Sequence, residues 1–375
     1  MIILLCMITV MSFKADFDGE RPRRRHIGAS ADSLGEIRER FVWYERSYAI
    51  DQALSTKVGI VSMVTCSPGF DFWLKHHLDY LKIDLVVLRV EDCPSHKALL
   101  EPYSSKVHAT FHSRDEIDVG DNYHSMMSRQ NDTVTRGLQI AAQQNVSFLF
   151  HIDGDELLYV GPSKNIRVEA SNVTGPDIPG LERSMLLRKH LMDIEEEYSS
   201  IHLSNYEAVY PVFNENDGAH CFHPQAKYLE CAFMGKCNTY SNGKSAARVR
   251  GQGFEFESKG VRFFGPHNFS GRKFSMPISR MAVLHFDSCT FSQYKQKFAL
   301  LANASEERIK KIPFDFYKRS IWLLQECKEK RREVGELMKE DTVNGTTCED
   351  KQRSLYKRYK VRRWRSRRAQ TLHFM

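Results

Sequence analysis

At 375 residues the chain has room for one large or two modest domains with a sizeable core. An apolar fraction of 42% and a charged fraction of 27% exclude disordered, collagen-like and polytopic membrane classes. Net charge is +7, yet ten of the 54 Lys and Arg lie from Lys351 onward with no acid among them, leaving 44 basic against 47 acidic residues elsewhere. The positive charge therefore belongs to a tail, and a fold-wide basic surface for nucleic acid is excluded.

Met1 to Phe13 is an apolar run of about 13 residues, short of the roughly 20 that a spanning helix needs. It suits the core of a signal peptide or a truncated anchor, although its basic residues (Arg21, Arg23, Arg24, Arg25) follow it rather than precede it. Residues 14 to about 50 are polar, lack apolar periodicity and read as a stem. Residues 1–56 are thus a lead-in to the fold.

Val58 to Thr65 is a β-rich apolar run, followed by the turn Ser67-Pro68-Gly69. Phe70, Trp73, Leu74, His77, Leu78 and Leu81 then fall at helical spacing, and Leu85 to Val90 is a second strand: a β-α-β unit. A short helix over His96 to Leu100, a β-like run from Val107 to Phe111 and a longer helix from Ser125 to Gln144 follow, the last with Met127, Val134, Leu138 and Ala141 on one face. Phe148 to Ile152 is the fourth strand. Strands alternating with helices predict an α/β fold with a mostly parallel sheet covered on both faces, whose ligands lie beyond the carboxyl ends of the strands.

Beyond the fourth strand stand Asp153-Gly154-Asp155-Glu156. In an extended segment Asp153 and Asp155 point the same way, and the glycine lets a ligand approach the backbone. Two hard oxygen donors suit Mg²⁺ or Mn²⁺ bridged to phosphate. Asp-Gly is also a turn dipeptide, but its place at the end of an apolar strand favours the metal site.

After Val160 the sequence turns irregular to Gly180, then helical from Leu181 to Tyr198, then aromatic with short β-like runs. In the polar segment Asn238 to Arg250, Lys244, Arg248 and Arg250 can meet a phosphate or a glycan, or the segment is a solvated loop. Gly265-Pro266-His267 and Val283-Leu284-His285-Phe286-Asp287 follow; His285 and Asp287, two apart, share a face. Phe291 to Met338 is helical in pattern.

Nine cysteines are too few for a disulfide scaffold, and the nearest thing to a cluster, Cys221, Cys231 and Cys237, suits one structural disulfide better than a metal. Asn-X-Ser/Thr occurs at Asn131, Asn145, Asn172, Asn268, Asn303 and Asn344, against about two expected by chance. The excess favours a secretory lumen, Golgi or ER, over the cytoplasm, with the N-terminal segment as a candidate membrane anchor. The tail, with Tyr356, Tyr359 and Trp364 between its cations, suits an acidic glycan or a membrane surface.

These residues together resemble glycosyltransferases of the GT-A fold, near the family 2-like and family 92-like groups, over roughly Val58 to Leu324. Trp73-Leu74-Lys75-His76-His77-Leu78 with the next strand is similar to their "W-x-x-H-x-x-x-G" helix; Ser128-Arg129-Gln130 precedes a segment, His151 to Leu158, that resembles their DxD region with its trailing Glu. Lys244-Ser245-Ala246, Gly265-Pro266-His267 and Leu284 to Cys289 look like the acceptor-side half, while Thr65-Cys66-Ser67-Pro68 lacks the Asn-Glu common in these groups. The resemblance implies a Rossmann-like GT-A domain over 57–340, with a nucleotide-sugar half (57–160), an α+β acceptor half (161–340) and a basic tail (341–375).

It also implies a metal-dependent hexosyltransferase using a UDP- or GDP-sugar, a glycan or other hydroxyl acceptor and Mn²⁺ or Mg²⁺, by an inverting course. Asp153, Asp155 and His285 are the expected metal ligands; Thr65, Glu91, Asp92, Arg129 and Asp153 the nucleotide-sugar contacts; Lys244, Arg248 and His267 the acceptor side. Asp287 is the first candidate for the base that takes the acceptor proton, and Glu156 the second. The competing class is a non-catalytic glycan or nucleotide-sugar binding protein on a decayed transferase fold.

Overall fold

The computed structural model describes residues 55–361 except 68, 114–121, 162–177, 211–221, 223–225, 231–241, 252–253, 256–261, 265–266, 304, 313, 335–341 and 344–345. The N-terminal apolar run and stem, Cys221, Cys231 and Cys237, the Gly265-Pro266 pair and the tail after Val361 lie outside the described residues. No helix among the described residues is long and apolar enough to cross a membrane.

The α/β reading holds. Strands β1 (Val58–Val64), β2 (Leu85–Glu91), β3 (Val107–His112) and β4 (Phe148–His151) pair in parallel in the order 3-2-1-4. They are joined by α1 (Phe70–Leu74), α2 (His96–Leu100) and α3 (Asn122–Gln143). Because side chains alternate along a strand, Ile60, Val86, Leu88, Phe148 and Phe150 face a core that includes Phe70, Trp73 and Leu78. Val61, Leu85, Val87 and Leu149 face Val134, Leu138 and Ala141 of α3 on the other side. Helices therefore cover both faces, as near-continuous apolar strands require.

After β4 the chain leaves this sheet. β5 (Glu156–Val160) belongs to a second, four-stranded sheet. The helix α4 (Ile178–Met192) follows, then β6 (Ser200–Leu203), β7 (Asn205–Val209), β8 (Lys227–Glu230) and β9 (Lys244–Arg248). Three short hairpin or edge pieces come next: β10 (Arg250–Gly251) with β11 (Phe254–Glu255), β12 (Phe263–Phe264) with β13 (Asn268–Phe269), and β14 (Lys273–Ser275). β15 (Met281–His285) completes the second sheet, whose order is 5-15-7-8. The first sheet continues past β4 with β9, β6 and β14, and β9 runs antiparallel to both of its neighbours.

The segment around Lys244, open to a loop reading from its polarity, is thus a central strand. Small residues permit this: Ala246 and Ala247 are fully buried between the layers, and the charged ends Lys244 and Arg248 are buried as well.

A third cluster is helical. α5 (Phe291–Leu301), α6 (Glu306–Lys311) and α7 (Asp315–Val334) pack Phe291, Tyr294, Phe298, Phe316 and Ile321 together. After the hairpin β16 (Thr342–Val343) and β17 (Thr346–Thr347), α8 (Cys348–Tyr356) adds Tyr356 to this cluster. The basic tail is therefore anchored at its start. Disulfides join Cys66 to Cys93 and Cys327 to Cys348; the cysteine pattern alone indicated neither pair.

Candidate functional site

The site forms where the chain crosses from the first sheet to the second. β4 ends at His151 and β5 begins at Glu156, so Asp153-Gly154-Asp155 is the corner between them. Ser245, one residue into β9, pairs with His151, and His285, the last residue of β15, pairs with Glu156. The topology alone thus brings Lys244 and His285 to the two flanks of the acidic corner.

The corner is a turn, not the extended segment expected: the Glu156 amide donates to the Asp153 carbonyl at 3.1 Å. Turn and acidic site are one feature, and the two Asp side chains consequently part. Asp153 accepts from Lys244 Nζ at 2.5 Å, while Asp155 lies 3.5 Å from His285 Nε2. Packing also favours glycine at 154, because a Cβ there would stand 3.0 Å from Val64 Cγ1 at the end of β1.

The helix after β1 braces this corner from behind. Trp73 Nε1–H donates to the Asp153 carbonyl at 3.2 Å. His76 Nε2–H donates to the Leu158 carbonyl at 2.9 Å; His77 accepts the Leu158 amide on Nε2 at 3.2 Å and donates through Nδ1–H to the Trp73 carbonyl at 2.9 Å. From Lys75 to Tyr80 the helix widens to π geometry, and both consecutive imidazoles meet the same residue of β5. The Trp-His-His motif is therefore a backbone clamp on the segment that carries the carboxylates. Both rings stay neutral: burial lowers His76 to about 4 and His77 well below its ordinary value.

Asp155, His285 and Asp287 offer three donor atoms that all lie within 4.8 Å of one another. Two carboxylate oxygens and an imidazole nitrogen are a donor set suited to Mn²⁺ and compatible with Mg²⁺ only if water fills the remaining positions. The Phe286 amide donates to the Asp155 carbonyl at 2.8 Å, tying the two ligand-bearing segments together. Of the expected ligands, Asp155 and His285 are in this set. Asp153, paired with Lys244, lies outside this set, and Asp287, paired with Lys297, lies within it.

The electrostatics follow from burial. Burial opposes ionisation of Asp153, but the Lys244 ammonium overrides it and holds the carboxyl well below its usual range. Asp155 is likewise kept low against burial by His285 and Lys297, and His285 is raised by Asp155. Glu156, fully buried, is pushed up to about 8 by burial, against the Lys244 ammonium 3.5 Å away. Its Oε2 accepts the Asp153 amide at 2.7 Å, while its Oε1 is buried without a hydrogen-bond partner. Asp287 is fully buried and paired with Lys297 of α5, a residue that its unremarkable helical context gave no reason to select.

Asp287 and Glu156 have no exposed surface, whereas a general base must come within hydrogen-bond reach of the acceptor. Asp153 and Asp155 keep 28% and 31% of their side chains exposed and form the open side of the cluster.

The other expected contacts divide. His267 lies beside Lys244, with Nδ1 2.7 Å from the Gly243 carbonyl, and is lowered to about 4 by burial and by that ammonium. Lys244 itself is 1% exposed and acts on Asp153 and Glu156 rather than on a bound acceptor. Arg248 stands at the other end of β9, opposite Phe148 at the start of β4. It bonds the Ile194, Glu195 and Tyr198 carbonyls, because β9 is antiparallel and its far end points away from the corner. Arg129 is clamped to Glu91 by bonds of 2.7 and 3.2 Å, with Arg89 on the same carboxylate. Glu91 is held low by the two guanidiniums against the effect of burial; the three form an ion cluster whose guanidiniums keep 17% and 18% of their side chains exposed. Thr65 and Asp92 are exposed at the carboxyl ends of β1 and β2. The Cys66–Cys93 disulfide ties their two loops together, and Asp92 has a φ of 52°.

No family model and no curated relative matches the chain. Among solved structures, it is similar to 4-diphosphocytidyl-2C-methyl-D-erythritol synthase from Anaerococcus prevotii DSM 20548, at 10% identity and a TM-score of 0.24, covering 62% of this chain and 91% of that one. It is also similar to HddC from Yersinia pseudotuberculosis, at 10% identity and a TM-score of 0.27, covering 64% and 96%. At TM-scores this low neither likeness bears on function.

Proposed function

We propose that the chain is a divalent-cation-dependent glycosyltransferase that moves a sugar from a UDP- or GDP-sugar to a glycan or other hydroxyl acceptor. The observation that carries this reading is the Asp155–His285–Asp287 cluster at the carboxyl end of a parallel sheet, where open α/β sheets bind their ligands. A bound Mn²⁺ or Mg²⁺ would neutralise charge on the departing nucleoside diphosphate. Asp155, the exposed member, would hold it from the cleft side, His285 and Asp287 from within. Lys244 neutralises Asp153 so that the corner does not repel a second anion, and Trp73, His76 and His77 keep the corner rigid. Thr65 and Asp92, at the ends of the first two strands, line the space for the nucleoside. The Cys66–Cys93 and Cys327–Cys348 disulfides and the six Asn-X-Ser/Thr sequences support an oxidising secretory lumen as the site of action.

The test is release of nucleoside diphosphate from a panel of UDP- and GDP-sugars with Mn²⁺ or with EDTA, comparing wild type with Asp155→Ala. Metal-dependent release from one donor, lost in the variant, supports a transferase and names the donor. Calorimetric binding of nucleotide or glycan without release would favour the binding-protein reading instead, which the internal commitment of Asp153 to Lys244 also favours.

A further inference from the structure

Asp287 is the buried ligand of the cluster, and its position depends on the turn that follows it. Ser288, immediately after it, has a φ of 50°. A non-glycine residue in this left-handed region persists only where its surroundings impose it. The Ser288 hydroxyl donates to Asp287 Oδ1 at 3.1 Å, so the strained residue and the ligand move together.

Besides the Lys297 ion pair on Asp287, one hold on the turn comes from the C-terminal helix. The Tyr356 hydroxyl lies 2.9 Å from the Ser288 carbonyl and 3.1 Å from the Cys289 carbonyl, 68 and 67 residues away in sequence, and donates to them. Its ring is packed 5.8 Å from Phe291 and 5.5 Å from Tyr294 in a cluster dominated by apolar and aromatic side chains. A phenylalanine would supply the same packing; only the hydroxyl meets the turn. Burial holds that hydroxyl protonated, well above its ordinary pKa, so it remains a donor. The helix that carries it is fixed at its start by a capping box between Thr347 and Asp350 and by the Cys327–Cys348 disulfide to α7.

We propose that Tyr356 is a positioning residue for the cation site: its hydroxyl fixes the turn after Asp287 and thereby sets that carboxylate's placement against Asp155 and His285. The C-terminal segment, whose composition reads as a basic appendage, thus contributes to the geometry of the site. The inference rests on the reading of Asp155, His285 and Asp287 as a cation site.

The experiment is Mn²⁺ titration of the full chain by calorimetry, with the Mn²⁺ electron paramagnetic resonance signal as a second readout, on wild type, Tyr356→Phe, Asp155→Ala and Ser320→Ala. Outer contacts of this kind are worth roughly 10- to 100-fold in metal affinity, so Tyr356→Phe is expected to weaken binding at least about tenfold and alter the signal. Ser320→Ala removes a buried hydroxyl bond of 2.7 Å to the Phe316 carbonyl in the same helical cluster but does not touch the turn. It is expected to lower stability with affinity unchanged. Wild-type binding equal to that of Tyr356→Phe overturns the proposal; absence of wild-type binding, or binding undiminished in Asp155→Ala, overturns the cation-site reading itself. The coupling is reciprocal, so in wild type Mn²⁺ should slow amide exchange across Cys348–Tyr356. Unchanged exchange there in a chain that binds Mn²⁺ also counts against Tyr356, and this measurement does not depend on the variant folding.

Discussion

The two histidines behind the acidic corner make acid stability a test of the clamp. His76 is buried, lowered to about 4 from 6.5, and bonded through Nε2–H to Leu158. With the folded pKa below the unfolded one, the unfolded chain takes up the proton first as pH falls through 6.5. The contribution is complete above that value and drains away toward pH 4. The linkage relation gives a loss of about 0.8 kcal/mol at pH 6 and about 2 kcal/mol at pH 5 for His76 alone. Glu156 and His285 are raised and act in the opposite direction, so the informative quantity is a difference between two proteins. His76→Gln keeps an N–H donor for Leu158 and removes the titration. Urea unfolding with disulfides intact, at pH 8, 7, 6 and 5, should show the variant gaining about 2 kcal/mol on wild type between pH 8 and pH 5. A difference constant to within about 0.5 kcal/mol over that range would refute a neutral, buried His76, and with it the clamp as described.

Arg129→Leu leaves Glu91 paired with Arg89 and should cost about 2 kcal/mol in stability, the scale of a hydrogen bond to a charged group; donor KM should not change, and a raised KM would return Arg129 to the nucleotide. Lys244→Met strips Asp153 of its cation, so Mn²⁺ should bind more tightly than in wild type but with Asp153 as an added ligand; weaker binding would show that Lys244 supports the cation site rather than competing for it. Asn131, Asn145 and Asn303 are exposed, and Asn145 lies just before the start of β4, the pole opposite the acidic corner. Expressed in secretory cells, the chain should lose mass on amidase deglycosylation, one glycan fewer in each of Asn131→Gln, Asn145→Gln and Asn303→Gln; an unchanged mass would argue for another compartment. Removing residues 362–375 should reduce retention on heparin without unfolding, whereas a cut before Tyr356 should disrupt the helical cluster.

The parallel sheet was legible because its strands carry unbroken apolar runs between helical spacings, a local signal. The position of the corner was legible too, since Asp-Gly follows an apolar strand, but its turn was not the conformation expected. The destination of each side chain was not legible. Asp153 and Asp155 stand two apart in a sequence that reads as extended, but one turn hydrogen bond sends the first to Lys244 and the second to His285. Arg248 resembles a ligand cation by composition; only the antiparallel pairing of β9 reveals that it faces the opposite pole. Lys297 and Tyr356 reach Asp287 and its turn from helices with no motif of their own.

These failures share one cause: a contact across 68 residues, such as that between Tyr356 and Ser288, leaves no periodicity in the chain. It also explains why the tail misleads. Composition counts the cations from Lys351 onward as one block, while packing divides the block at Tyr356. Tyr356 and Tyr359, which fall among those cations, pack in the helical cluster. A basic segment that carries buried aromatics is therefore not one appendage, and the two truncations above separate the part tied to the fold from the residues beyond it.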